Sequence, residues 1–132
     1  MLRRLNTLAA DRANFAFETT LASRSFAPWL QDLRRDGYDV DVVFLWLPTA
    51  DLAVARVQDR ALRGGHDVPE ETIRRRYRSG LRNFLSLYRR LATSWRFYEN
   101  TEPTGPRLVA TGEGTAEVIA LPELWSVILE SV

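Results

Sequence analysis

The stretch "DVDVVFLWLP" (residues 39–48) decides the fold. Val42 to Leu47 is an unbroken apolar run, rich in β-branched and aromatic side chains, and Pro48 closes it. Such a run reads as a strand buried on both faces, as in a parallel sheet. On its amino side, Phe26, Trp29, Leu30 and Leu33 fall at helical spacing, and Gly37 suits the helix stop. On its carboxyl side, "TADLAVARVQDRALRGG" (49–65) reads as a helix opened near Thr49 and closed by the glycine pair. The next helix starts with Asp67 and Glu70 in a capping-box-like pair, with Pro69 in the first turn. Its apolar stripe is Ile73, Tyr77, Leu81, Phe84, Tyr88 and Leu91.

Working outward, residues 2–12 read as an amphipathic helix and Phe15 to Phe17 as a short strand. "WRFYEN" (95–100) and "RLVAT" (107–111) are short strands split by a Pro/Gly turn. "EVIAL" (117–121) is a further strand or a lead-in, and "PELWSVILESV" (122–132) a terminal helix. The alternation predicts an α/β layered parallel sheet with right-handed crossovers. No internal repeat or linker interrupts it.

Composition narrows the chemistry. The 132 residues, 45% of them hydrophobic, suit one domain with one core. A net charge of +1 provides no global field for nucleic acid. No apolar run reaches the ~18 residues of a membrane span. The absence of cysteine excludes disulfides, thiolate catalysis and cysteine metal sites, and allows a reducing, cytoplasmic setting. All 18 basic residues are arginine. Lysine is absent, so these residues alone provide neither a Schiff base nor the phosphate lysine of a G-x-x-x-x-G-K-S/T loop.

The stretch "RALRGGHDVPEETIRRRY" (60–77) concentrates charge. Arg75, Arg82 and Arg90 point away from the apolar stripe and form a solvated face. Arg74 and Arg76 flank the stripe, where a guanidinium can reach a cleft while its stem packs on the core edge. Arg56 and Arg60 are one turn apart and share a face. Two helices meeting at "RGGHDV" read either as a lid folding over a phosphate chain, since guanidinium groups bond phosphate bidentately, or as a hairpin with a solvated basic rim. His66 stands alone, and a single histidine builds no histidine metal site. The cluster "FETTLASR" (17–24) places Glu18, Thr19, Thr20 and Arg24 beyond a candidate strand, where α/β sheets bind ligands; the alternative is a threonine cap on the following helix. Asn100 ends another strand and lines the same edge or makes an ordinary turn.

Taken together, E-T-T-L, R-x-x-x-R, G-G-H-x-V-P-E and I-R-R-R-Y at this spacing resemble the zeta-toxin-like branch of P-loop kinases, often labelled predicted ABC-type ATPases. The resemblance covers about residues 5–111. It implies a three-layer, P-loop NTPase-like fold and ATP-dependent, magnesium-assisted phosphorylation of a small hydroxyl substrate; in zeta toxins that substrate is an amino-sugar nucleotide. Glu18 and Thr20 match the family's substrate-side Glu and Thr. Arg60 or Arg56 matches a lid arginine holding ATP phosphates, His66 stands where toxin members carry another arginine, and Arg74 to Arg76 fall at the lid's return helix. The family's first strand, glycine-rich phosphate loop and following helix have no counterpart here. The expectation is a single N-terminally truncated domain (1–132), binding ATP and Mg²⁺ weakly or not at all by itself. Expected partners are the nucleotide and its hydroxyl substrate, an antitoxin, or a second copy covering exposed strand surface. A non-catalytic module recognising an acidic partner or a nucleotide is the second reading.

Overall fold

A computed structural model describes residues 14–101, 103 and 105–132. The helix expected over 2–12 lies outside the described residues. Four helical regions and four strands follow in order: α1 (Ala27–Arg35), β1 (Asp41–Trp46), α2 (Ala50–Leu62), α3 (Glu70–Asn83), β2 (Ser94–Glu99), β3 (Arg107–Glu113), β4 (Ala116–Ile119) and α4 (Pro122–Glu130). α3 continues without a break through a π-helical stretch, Phe84–Tyr88, and a last turn, Arg89–Leu91, so the helix runs to Leu91 as its stripe predicts.

The strands form one sheet in the order β1-β2-β3-β4. β1 pairs with β2 in parallel, Asp41 opposite Ser94 and Trp46 opposite Glu99. β2–β3 and β3–β4 are antiparallel. The sheet is therefore mixed, which corrects the all-parallel expectation. The connection from Glu99 to Arg107 is too short for a crossover and can only fold back as a hairpin. Phe15 to Phe17 is extended but joins no strand, a second correction.

An aromatic cluster fixes the β1–β2 register. Phe44 stacks on Phe97 with centroids 5.2 Å apart, and Phe84 of the π-helical stretch sits 4.9 Å from Phe44 and 5.6 Å from Phe97. Trp125 of α4 closes the cluster against Phe97 at 5.2 Å. Phe84, Tyr88, Phe97, Val109 and Ile128 are fully buried. Gly112 is required here, because a Cβ at that position would lie 2.3 Å from the Trp95 indole nitrogen. α3 and α4 thus cover one face of the sheet.

The register puts Val43, Arg96, Thr111 and Val118 in one row on the opposite face, and Leu45, Tyr98 and Leu108 in the next. Val43 is 47% exposed and Leu45 52%, so β1 is buried on one face only, contrary to expectation. A helical layer over that face, the third layer of the expected architecture, is absent among the described residues. Elsewhere, the Thr49 side chain accepts the Leu52 amide and caps α2, as its position predicts. Asp67 caps nothing: Pro69, in extended backbone, is the N-cap of α3 and makes no side-chain bond. A proline at the cap holds the chain extended until Glu70.

Burial pushes the phenols of Tyr77 and Tyr88 above the ordinary tyrosine value; the Phe26 backbone and Arg24 partly offset the rise at Tyr88. The fold prefers both phenols neutral. Their contribution is whole below about pH 10 and declines as pH rises through the raised folded values, because the unfolded chain ionises first. The free energy of urea unfolding should fall with pH above about 10, and less steeply in Tyr77→Phe/Tyr88→Phe. Identical slopes would contradict this assignment.

Candidate functional site

The chain before α1 is shaped by one residue in an unusual conformation. Leu21 has φ 57°, in the left-handed region that a branched side chain rarely adopts, and it is buried. Its surroundings hold it there. The Thr19 hydroxyl accepts the Leu21 amide at 3.2 Å, and the Thr20 hydroxyl accepts the Ala22 amide at 3.4 Å. The buried Asn83 amide group donates to the Leu21 carbonyl at 2.8 Å and to the Ala22 carbonyl at 3.1 Å. Gly80 lets the backbone approach α3, since a Cβ there would stand 2.2 Å from the Thr20 carbonyl oxygen. Residues 20–22 are thus fastened to α3, and residues 15–21 line an open trough of about 810 Å³.

β1 lines the trough along its whole length, and residues of the α2–α3 hairpin line it as well. Two contacts anchor the hairpin. Arg74 donates to Asp51 at 2.6 Å and to Glu70 at 2.9 Å, tying the start of α2 to the start of α3. Asp51 first, then Glu70, raise the Arg74 guanidinium above its ordinary pKa. Tyr77 donates its hydroxyl to the Leu47 carbonyl at 2.6 Å, fixing α3 at the carboxyl end of β1.

Seven of the ten residues expected from sequence share this trough: Glu18, Thr19, Thr20, Arg56, Arg60 and Arg76 line it, with Asn100 from just past the end of β2. The Asn100 amide also donates to the Trp46 carbonyl at 2.8 Å, closing the end of the parallel pair. Thr19 and Thr20 spend their hydroxyl acceptors on local turns and do not cap α1, which begins at Ala27. Three expected residues lie elsewhere. Arg24 is exposed outside the trough, His66 is exposed in the hairpin loop, and Arg74 serves as the hairpin clamp. Among the described residues, Arg56, Arg60 and Arg76 have no carboxylate within ion-pairing distance; the ion pairs use Arg35, Arg63, Arg74, Arg89 and Arg107. Three guanidinium groups without a carboxylate partner line the same trough as Glu18, Thr19 and Thr20, and guanidinium groups have the bonding geometry that phosphate oxygens accept.

Sequence reasoning missed Trp46, Tyr77 and Glu99. Trp46 and Tyr77 also line the trough but read as core because they sit in apolar runs. The buried Trp46 indole N–H has no hydrogen-bond partner. Glu99 is buried beside the end of β2, where its carboxylate accepts from Thr101 at 2.9 Å and Arg107 at 3.2 Å. Its place next to Asn100 was the available signal. Among the described residues no group of three or more acidic or histidine side chains could hold a metal, so these side chains alone do not form a magnesium cage.

Asn83→Ala would leave two carbonyls of the Leu21 turn without their donor. The expected loss is about 1–3 kcal/mol in urea unfolding. Gly80→Ala is expected to cost a similar amount by forcing the Thr20 carbonyl away from α3, on the order of 1–3 kcal/mol. Unchanged stability in both variants would show that the wall is not held as described.

A family model described as zeta toxin matches residues 1–104. No curated protein and no solved structure matches the chain.

Proposed function

The chain belongs to the zeta toxin family, and from that membership we propose that it carries the acceptor-binding and lid portions of an ATP-dependent small-molecule kinase. The observation that carries this reading is the shared trough, lined by Glu18 and Thr20 together with Arg56, Arg60 and Arg76. Glu18 would accept a hydrogen bond from a substrate hydroxyl and hold it towards the phosphate. The three guanidinium groups would bond the anionic tail of the nucleotide and offset charge that builds on the transferred group. The acceptor class is a small hydroxyl compound, such as a nucleotide sugar. ATP supplies the phosphoryl group, and magnesium would be held chiefly by phosphate oxygens, with Glu18 among the carboxylates that line the trough.

The 132 residues include no lysine and no G-x-x-x-x-G-K-S/T run. Transfer chemistry of the family type would need that loop from outside these residues, so the proposed activity of this chain alone is binding without appreciable turnover. The unpaired arginines also favour a second reading, a non-catalytic module that recognises a nucleotide or an acidic partner. Among the described residues no helix is long and apolar enough to cross a membrane.

Calorimetric titration with ATP and with inorganic tripolyphosphate tests the site. Weak binding that weakens further with salt is expected. Arg60→Glu/Arg76→Glu should lose about 10-fold or more in affinity while retaining the parent's circular dichroism, because charge-assisted bonds contribute roughly 1.5–3 kcal/mol each. Unchanged affinity would return these residues to a solvated rim. Binding of tripolyphosphate and not ATP would favour an anion-recognition module over a kinase.

A further inference from the structure

The solvent side of α3 carries Arg75, Arg78, Arg82 and Arg90, all exposed. At about 100° per residue, Arg75, Arg78 and Arg82 fall within a wedge of about 60°. The π-helical stretch Phe84–Tyr88 takes up an extra residue, which brings Arg90 back onto the same wedge and turns Arg89 inward over the Trp95 and Trp125 rings. Arg34 and Arg35 of α1 extend the positive surface past Arg90. The ridge is separate from the trough, since none of its arginines lines that cavity.

Helix chemistry does not account for this row. Elsewhere the chain answers a helical arginine with a carboxylate three or four residues before it, as in Asp32–Arg35, Asp59–Arg63 and Glu70–Arg74. Arg78, Arg82 and Arg90 have no acidic residue at that spacing on either side. Glu71 stands four residues before Arg75 but outside ion-pairing distance, and among the described residues none of the four guanidinium groups has a carboxylate partner. Arg75 and Arg78, and then Arg78 and Arg82, are instead like-charge neighbours that weaken the helix. A local rule broken with no compensation inside the fold points to an anion from outside it.

The surface selects the chemistry of that partner. No exposed large apolar side chain lies between Glu70 and Leu91, so the ridge lacks the apolar face that enters a lipid surface. Tyr77, Phe84 and Tyr88 all turn inward, so no base can stack on it, and the net charge is only +1. The ridge rises by about 4.5 Å from Arg75 to Arg78 and by about 6 Å from Arg78 to Arg82. Carboxylates at three- and four-residue spacing on a second helix rise through the same steps, so several pairs form in one alignment. We propose that the outer face of α3 is a docking surface for an acidic helix of a partner protein, with glutamates or aspartates repeated along one side. The contact is electrostatic, forms fast and weakens with salt. It stands whether or not the trough binds nucleotide.

The test is fluorescence anisotropy with two labelled alanine-based helical peptides, each about 20 residues long. Both carry the same number of glutamates. In one they repeat at three and four residues along a single face, and in the other they are spread around the helix. At low salt the one-faced peptide should bind about 10-fold or more tightly than the spread one, and it should lose most of that affinity at physiological salt. Arg78→Glu/Arg82→Glu should abolish the preference, yet leave tripolyphosphate affinity within about 2-fold once salt screens the distant charges. Should that variant fail to fold, Arg75→Gln/Arg90→Gln keeps good helix formers and should weaken the one-faced peptide by about 5-fold. Equal binding of the two peptides, binding of neither, or binding that ignores the substitutions would overturn the proposal. Tighter binding of a single-stranded RNA, lost in the same variants, would assign the ridge to nucleic acid and contradict the proposal as well.

Discussion

Parallel pairing of β1 with β2 is the constraint from which the remainder follows. Two adjacent strands running the same way cannot be joined by a tight turn and need a crossover of a dozen or more residues. Here the crossover holds α2, α3 and the π-helical stretch. Phe84 comes from that stretch and seals the Phe44–Phe97 stack that sets the register. The same crossover carries the arginine hairpin back over the carboxyl end of β1, where Tyr77 bonds the Leu47 carbonyl. The core and the trough are therefore two consequences of one connection. A π-helical turn adds a residue to the helix's circuit, which suits a place where Asn83, Phe84 and Tyr88 must all face inward.

Much of this was legible in advance. The apolar stripe from Ile73 to Leu91 marked one long helix because its steps of three and four keep one face. Thr49 marked the start of α2 because its hydroxyl can take the orphan amide of Leu52. The exposure of β1 was not legible. A run without alternation says nothing about which face meets water, and only the register shows Val43 and Leu45 in the open rows. The antiparallel β3 was readable from the short connection after Glu99, a length argument that outranks the general expectation from strand–helix alternation.

The trough was legible as residue types and not as geometry. Glu18 and the arginine pair of α2 line the same trough. Arg74 and Arg76, however, look equivalent in sequence, since both flank the stripe. Asp51 on the neighbouring helix separates them: it captures Arg74, and Arg76 is left for the trough. Thr19 and Thr20 illustrate the opposite ambiguity. Their hydroxyls have the chemistry to meet a substrate, but they stabilise the left-handed Leu21 that turns the wall into place. The cost of that backbone conformation, on the order of 1–3 kcal/mol, is offset by Asn83 and by burial of the Leu21 side chain.

The central claim is that residues 15–21 and the arginine hairpin line one preformed trough, with α3 carrying Arg76 and holding the Leu21 turn through Asn83. The chain has no cysteine, so single thiols introduced at Glu18 and Arg60 would be labelled without interference. Pulsed dipolar spectroscopy between nitroxides at those two positions measures the span directly. A single narrow distance distribution is predicted, unchanged between low and high salt. A broad distribution, or two populations whose ratio shifts with salt, would mean that the two walls are not parts of one preformed site.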